Sequence, residues 1–262
     1  MLKRHLIFKP VNRTMFTLLL IAFMSITSFQ AHAQLENSEE SATFSYAKSI
    51  LQKMSNYLSS ADQFSFHAVM TEDRLFDNDY FIYGEVRSEV TIRRPDKVFA
   101  DIKSDYNHKR YWYDGSRITL LTVPANYYAT AEASGSIDEM ANFVYDNFGV
   151  HIPLATLAFE NSFEVLTDGV IDGYYTGVHS VGGVACHHLL FIEDDAEWQI
   201  WIEDGQNPVP RKYSVKYRLD DRDYVFIALI NNWQFNEFAP GEIFNFTTPF
   251  GADEIEFVIV NE

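Results

Sequence analysis

The densest group of chemically capable side chains in this sequence is Cys186-His187-His188. On a strand, Cys186 and His188 project from one face and His187 from the other. Two ligands two residues apart could open a zinc or copper site, but such a site needs three or four. His151 or His179 could complete one only if the fold brought them close. The expectation is therefore a buried thiol beside ordinary strand histidines. A Cys–His nucleophile pair cannot readily be Cys186 with His187, which point apart, and only at a stretch could it be Cys186 with His188. The acidic pairs Asp194-Asp195, Glu203-Asp204 and Asp220-Asp221 sit where turns belong, and turn carboxylates are usually solvated caps. No G-x-S-x-G, phosphate-binding glycine loop, H-E-x-x-H or calcium-loop spacing is present. We expect no catalytic residue, no metal and no cofactor.

What remains chemically unusual is the aromatic load: 22 Phe, 15 Tyr and 4 Trp. Phe64, Phe66, Tyr111, Tyr113, Phe191, Trp198, Trp201 and Tyr213 fall on strand-like segments at positions that can face a core. With Val90, Ile92 and Leu120 they are the candidate lining of a hydrophobic cavity. The single cysteine allows no intrachain disulfide, so stability must come from packed apolar surface.

The elements that would hold these residues follow from periodicity. Phe44, Ala47, Leu51, Met54 and Leu58 recur at three- and four-residue steps, which predicts an amphipathic helix over 41–59. The period then becomes two. Phe64, Phe66, Ala68 and Met70 alternate with Ser65, His67, Val69 and Thr71, and Val86, Ser88, Val90 and Ile92 alternate with Glu85, Arg87, Glu89 and Thr91. Pro95-Asp96 interrupts, and Val98 to Ile102 resumes. Tyr111-Trp112-Tyr113 leads through the Asp114-Gly115 turn into a strand from Ile118 to Val123, and Tyr127 to Thr130 follows. Ser136 and Glu139 form a capping box for a helix that Gly149 would end, and Pro153 to Phe159 could form a second short helix. Strands return at Tyr174–His179, Val184–Glu193, Glu197–Glu203, Arg211–Leu219 and Tyr224–Trp233, with a last short one at Ile243–Phe246. About eleven strands in consecutive hairpins, an N-terminal helix and a helical insert at 136–159 predict a mainly β, α+β domain. It would be one large curved antiparallel sheet, an unclosed half-barrel with the insert as a lid. Two small helical elements cannot cover so many strands on both faces, which leaves an apolar hollow.

The N-terminus reads as a leader. Lys3, Arg4, Lys9 and Arg13 precede an apolar run from Met15 to Ile26 and an Ala31-His32-Ala33 cleavage pattern. Residues 1–33 are thus expected to be a secretory signal peptide, too short in its apolar core for a stable membrane span. The mature domain would be 34–262. It carries 16 Lys and Arg against 37 Asp and Glu, a formal charge of −21. Such a surface repels phosphate backbones and anionic headgroups, which argues against nucleic acid or membrane-surface partners.

The stretches GEVRSEVTIRRPDKVFADI, YWYDGSRITLL and NYYAT resemble the LolA/LolB-like lipoprotein-carrier superfamily, in which a strand ends in Arg-Pro and an Asp-Gly hairpin follows. Here these are Arg94-Pro95 and Asp114-Gly115. The ordered set ILQKMSNYLSSADQFSF, TIRRPDK, YWYDG, GVACHHL, WQIWIEDGQNPVPRK and FNFTTPFGA resembles more closely a family of predicted periplasmic proteins of unknown function within that superfamily. The resemblance implies an unclosed barrel plugged by helices and a periplasmic carrier of a hydrophobic ligand, such as a lipid or lipoprotein acyl chain. It also implies an alternative, since sensor modules that regulate the envelope through a protein partner share the fold.

Overall fold

A computed structural model describes residues 41–76, 80–150, 152, 154–218, 223–237 and 239–257. The leader expected at 1–33 lies outside the described residues. So do His151, Pro153 and the Asp220-Asp221 pair.

Helix α1 (Ala42–Ser59) starts where the Ser41 hydroxyl accepts a hydrogen bond from the Phe44 amide, and buries Phe44, Ala47, Ile50, Leu51, Met54 and Leu58 along one stripe. Strands β1 (Gln63–Phe76), β2 (Tyr80–Arg93), β3 (Lys97–Ser104), β4 (His108–Tyr113), β5 (Arg117–Thr122) and β6 (Tyr127–Glu132) follow as an antiparallel meander. Helix α2 (Ile137–Phe148) carries the expected capping box, and Gly149 ends it at φ 61°. A 3-10 turn at Ala155–Ala158 and helix α3 (Ser162–Thr167) complete the insert. Strands β7 (Asp172–Val181), β8 (Val184–Ile192), β9 (Ala196–Glu203), β10 (Pro210–Arg218) and β11 (Asp223–Phe235) form a second meander.

The two meanders join through β1 and β11, and with a short last strand β12 (Asp253–Glu254) the sheet runs β12-β6-β5-β4-β3-β2-β1-β11-β10-β9-β8-β7. Strands β6 and β7 stand toward opposite ends of that order and do not pair; the half-barrel is unclosed. Register shifts between Ser65 and His67, and between Tyr175 and Gly177, place bulges that bend the sheet.

The segment expected as a strand at Ile243–Phe246 is instead a 3-10 turn at Gly241–Phe244. It forms because the Ile243 and Asn245 amides bond to the Pro240 and Glu242 carbonyls, each three residues back. The final strand, β12 (Asp253–Glu254), pairs in parallel with β6 and breaks the otherwise antiparallel pattern.

The concave face is divided. α1 covers β7, β8 and β9, with Phe44 edge-on to Phe191 at 6.4 Å between centroids. Gly173 makes this approach possible, since a Cβ there would lie 2.8 Å from the Phe44 ring and 2.9 Å from Phe191. The insert covers β2 to β5. On the convex face Phe246 packs against Trp112 (5.1 Å) and Tyr128 (5.0 Å), and Phe244 is fully buried. Part of the aromatic surplus is thus spent outside the hollow. No described helix is long and apolar enough to cross a membrane.

Candidate functional site

Where α1 stops covering the sheet, the insert takes over and leaves a gap. Phe66 and Met70 of β1, Val90 and Ile92 of β2, Val98, Ala100 and Ile102 of β3, Tyr111 and Tyr113 of β4, and Ile118 of β5 form its floor. Ile137, Met140 and Ala141 of α2, with Val150, Ile152, Leu154, Ala155 and Ala158 beyond it, form its roof. The space measures about 110 Å³ and no charged side chain lines it. Small residues create it. Ala100 and Ser88 on the inward phase of β3 and β2 leave room that a larger side chain would fill.

The roof is fastened at identifiable points. The Ile137 amide donates to the Pro95 carbonyl at 3.0 Å. Tyr113 donates its hydroxyl to the Gly135 carbonyl at 2.6 Å. Burial, assisted by Asp96, Glu139 and Asp114, pushes this phenol up to about 12, so it stays a donor. Arg94 reaches from the end of β2 and donates to Ala158 of the roof at 2.5 Å and to Leu58 of α1 at 3.4 Å. Its guanidinium lies 5.7 Å from the Phe64 ring centroid. Burial lowers its pKa while the carboxylates of Asp138 and Glu160 oppose that shift. Leu154, whose side chain enters the cavity, has φ 61°. A left-handed backbone costs a non-glycine residue roughly 1–2 kcal/mol, so the roof closes under strain.

Of the eleven residues singled out by sequence, Phe66, Val90, Ile92, Tyr111 and Tyr113 line this space. Phe64, Phe191 and Trp198 are on the concave face but belong to the packed core that includes α1. Tyr213 lies 5.9 Å from Trp198 and packs, partly buried, against the same core, where burial raises its phenol. Leu120 stands opposite Tyr111 in register, outside the lining. Trp201 is corrected: it shares the convex face with His188 and Lys212, because three steps from Trp198 reverse the side on a period-two strand. Ser88, Ala100, Met140, Ala141 and the roof residues were missed. Small inward residues were the available signal, and the aromatic count drew attention away from them.

The Cys186-His187-His188 cluster splits as its strand phase requires. Cys186 is buried, and burial together with Glu203 raises its thiol pKa. His188 stacks on Trp201 at 4.0 Å and pairs with Gln199 at 2.9 Å; burial lowers its pKa. His187 faces the other way, between the Tyr175 hydroxyl and Asp204, each at 3.2 Å. Among the described residues no group of three or more His, Cys, Asp or Glu could hold a metal ion. Glu203 is engaged by Arg211.

A curved, unclosed antiparallel sheet with helices over its hollow is a LolA-like half-barrel. The chain belongs to the family described as "Predicted periplasmic protein (DUF2092)", whose model matches residues 47–258. A periplasmic family is what a leader at 1–33 would imply. No curated protein matches the sequence. Among solved structures it is similar to an uncharacterized conserved protein from Thermus thermophilus, with 10% identity, 80% of this chain and 99% of that chain covered, and TM-score 0.46. It is similar to LprF from Mycobacterium bovis, with 14% identity, 81% and 100% covered, and TM-score 0.44. It is also similar to a LolA superfamily protein from Nitrosomonas europaea, with 12% identity, 78% and 98% covered, and TM-score 0.32. The site is read from this chain's own residues.

Proposed function

We propose that this protein binds and carries a hydrophobic ligand, such as a lipid or a lipoprotein acyl chain, in the periplasm. The observation that supports this reading is the uncharged, roofed cavity between β1–β5 and the insert. An apolar cavity of about 150 Å³ holds one benzene, so the 110 Å³ here is too small for an acyl chain as the roof stands. An acyl chain needs the roof to lift. The strained Leu154 and the Arg94 bonds to Ala158 and Leu58 mark where it would give. Each buried methylene contributes about 0.8 kcal/mol, so a dozen supply on the order of 10 kcal/mol before ordering costs. That suffices for micromolar binding without polar recognition. The reading assigns no catalytic residue.

The test is solvent extraction of the protein purified from native periplasm, followed by mass spectrometry, with titration of the refolded protein by the neutral fluorophore N-phenyl-1-naphthylamine. Co-purified lipid and saturable fluorescence enhancement are expected. Clean extracts together with no enhancement would overturn the reading.

A second reading, an interaction module in envelope regulation, draws on one feature. Residues 73–76 of β1 pair only with 80–83 of β2, beyond the reach of β11 and β3, and there Phe76, Tyr80 and Tyr83 are exposed. A protein partner captured by photocrosslinking from Tyr83, without any bound lipid, would favour it.

A further inference from the structure

The cavity wall has two polar side chains whose hydroxyls are unspent. Ser88 of β2 is only 5% exposed and lines the cavity. Tyr111 of β4 lines it too, and burial raises its phenol pKa, which keeps the proton on. Neither hydroxyl has a hydrogen-bond partner among the described residues, and neither is sealed off; the one fully sealed, unpartnered side-chain polar atom among them is Arg94 Nε. Both oxygens therefore face open space. Tyr113, next on the same strand face, differs, because its hydroxyl is committed to Gly135.

The placement is specific. Val90, Ala100 and Tyr111 are in register across β2, β3 and β4, and Ser88 is one step along the same face of β2. Tyr111 and Ser88 thus flank the small Ala100 from the strands on either side of it. Strands lie about 4.8 Å apart, so about 10 Å separates the backbones of β2 and β4, and the two side chains stand on either side of Ala100. A hydroxyl left facing a hydrocarbon without a partner is unfavourable, and Ala and Phe would serve a plain hydrocarbon better. No Lys, Arg or His lines the space to neutralise a carboxylate or phosphate, and no Asp or Glu lines it to hold an amine.

We propose that the ligand is a neutral acyl ester, or an equivalent uncharged carbonyl compound, whose C=O enters the cavity and accepts a hydrogen bond from Ser88 or Tyr111. The alkyl chain occupies the apolar remainder under Met140 and Ile152. This deepens the ligand-binding reading and rests on it. It separates the ligand from free fatty acids, whose charge would have no partner, and from simple hydrocarbons, which leave both hydroxyls orphaned.

The experiment uses the mature full chain loaded with N-phenyl-1-naphthylamine and displaced by methyl decanoate, undecane or decanoate at pH 8. In the Ser88→Ala/Tyr111→Phe variant, methyl decanoate should weaken up to about tenfold, the effect of one net hydrogen bond. Undecane should hold or tighten, and decanoate should compete poorly with both proteins. With carbonyl-labelled methyl decanoate, the ester C=O stretch should lie lower in the wild type than in the variant, a signature that a loss of folding would not produce. Equal weakening of ester and undecane, or an unshifted carbonyl band, overturns the inference while leaving a hydrophobic site in place. Failure of the wild type to bind the fluorophore overturns the ligand-binding reading itself, and this inference with it.

Discussion

Filling the cavity should raise stability and abolish binding together, and Ala100→Leu is the substitution that asks for both. Ala100 is 8% exposed and lies on the floor formed by β3. At about 24 cal/mol per Å³, complete filling of 110 Å³ is worth about 2.6 kcal/mol. The three added carbons give a similar figure, about 2.4 kcal/mol at 0.8 kcal/mol each. Inserting them strains neighbouring rotamers by about 1–2 kcal/mol, leaving a net gain near 1 kcal/mol. For a domain of this size that is a rise of about 2–4 °C in Tm. Thermal unfolding followed by circular dichroism measures the first effect, and fluorophore titration the second, where affinity should fall at least tenfold. The opposed signs matter, because general damage would lower both. A variant destabilised by more than 1 kcal/mol, or one that binds the probe as the wild type does, would refute the assignment of the binding site to this cavity.

Arg94→Met removes the donors to Ala158 and Leu58 and should speed amide exchange across residues 155–159 at least tenfold, with a smaller loss of global stability of about 1–2 kcal/mol; uniform acceleration through the whole sheet would argue against a local fastening. For Asp101, burial pushes the carboxyl pKa up, but hydrogen bonds from Arg110 and His108 outweigh it and hold the value below normal. The stability this contributes is present above the unfolded pKa near 3.9 and is lost as pH falls through the lower folded value. Unfolding free energies of the wild type and Asp101→Asn from urea titration should therefore differ by a constant amount, about 1 kcal/mol, at pH 5–7 and converge below pH 4. Gly173→Ala should cost about 1–3 kcal/mol by forcing α1 off β7, visible as a lowered urea midpoint. Phe244→Ala, fully buried on the convex side, should cost about 3–5 kcal/mol while probe affinity in the folded protein stays unchanged.

Much of this architecture was legible because each strand keeps one face dry and the other wet. The alternation from Phe64 to Met70 and from Val86 to Ile92 places β1 and β2, and Ser136, Glu139 and Gly149 mark both ends of α2. The Asp114-Gly115 turn was equally plain: Asp114 accepts from the amides of Ser116 and Arg117, and Gly115 takes φ 88°. Where two faces are both covered, the pattern misleads. Ile243 to Phe246 looks like a strand because its apolar residues pack on a second, outer cluster with Trp112 and Tyr128, and no periodicity distinguishes that surface from the hollow. The six-residue α3 has no side-chain cap and is too short to show a period. Trp201, by contrast, was readable, since it shares its phase with Glu197, Gln199 and Glu203. The cavity was the least visible feature. It is made by volume missing at Ser88, Ala100 and Ala141, and small inward residues mark such a volume only weakly, since solidly packed cores contain them too.

The seam between β1 and β11 sets an order of assembly. Phe64 meets Phe235 there, 171 positions further along the chain, whereas nearly every other strand pairs with its immediate neighbour in sequence. Each meander can zip locally as the polypeptide emerges, but the first must wait with an unsatisfied backbone edge at its first strand until residues 223–235 arrive. Such non-local closure is slow, on the scale of milliseconds to seconds, and leaves greasy sheet uncovered meanwhile. The newborn protein is most vulnerable to sticking, therefore, just before its last long strand is delivered.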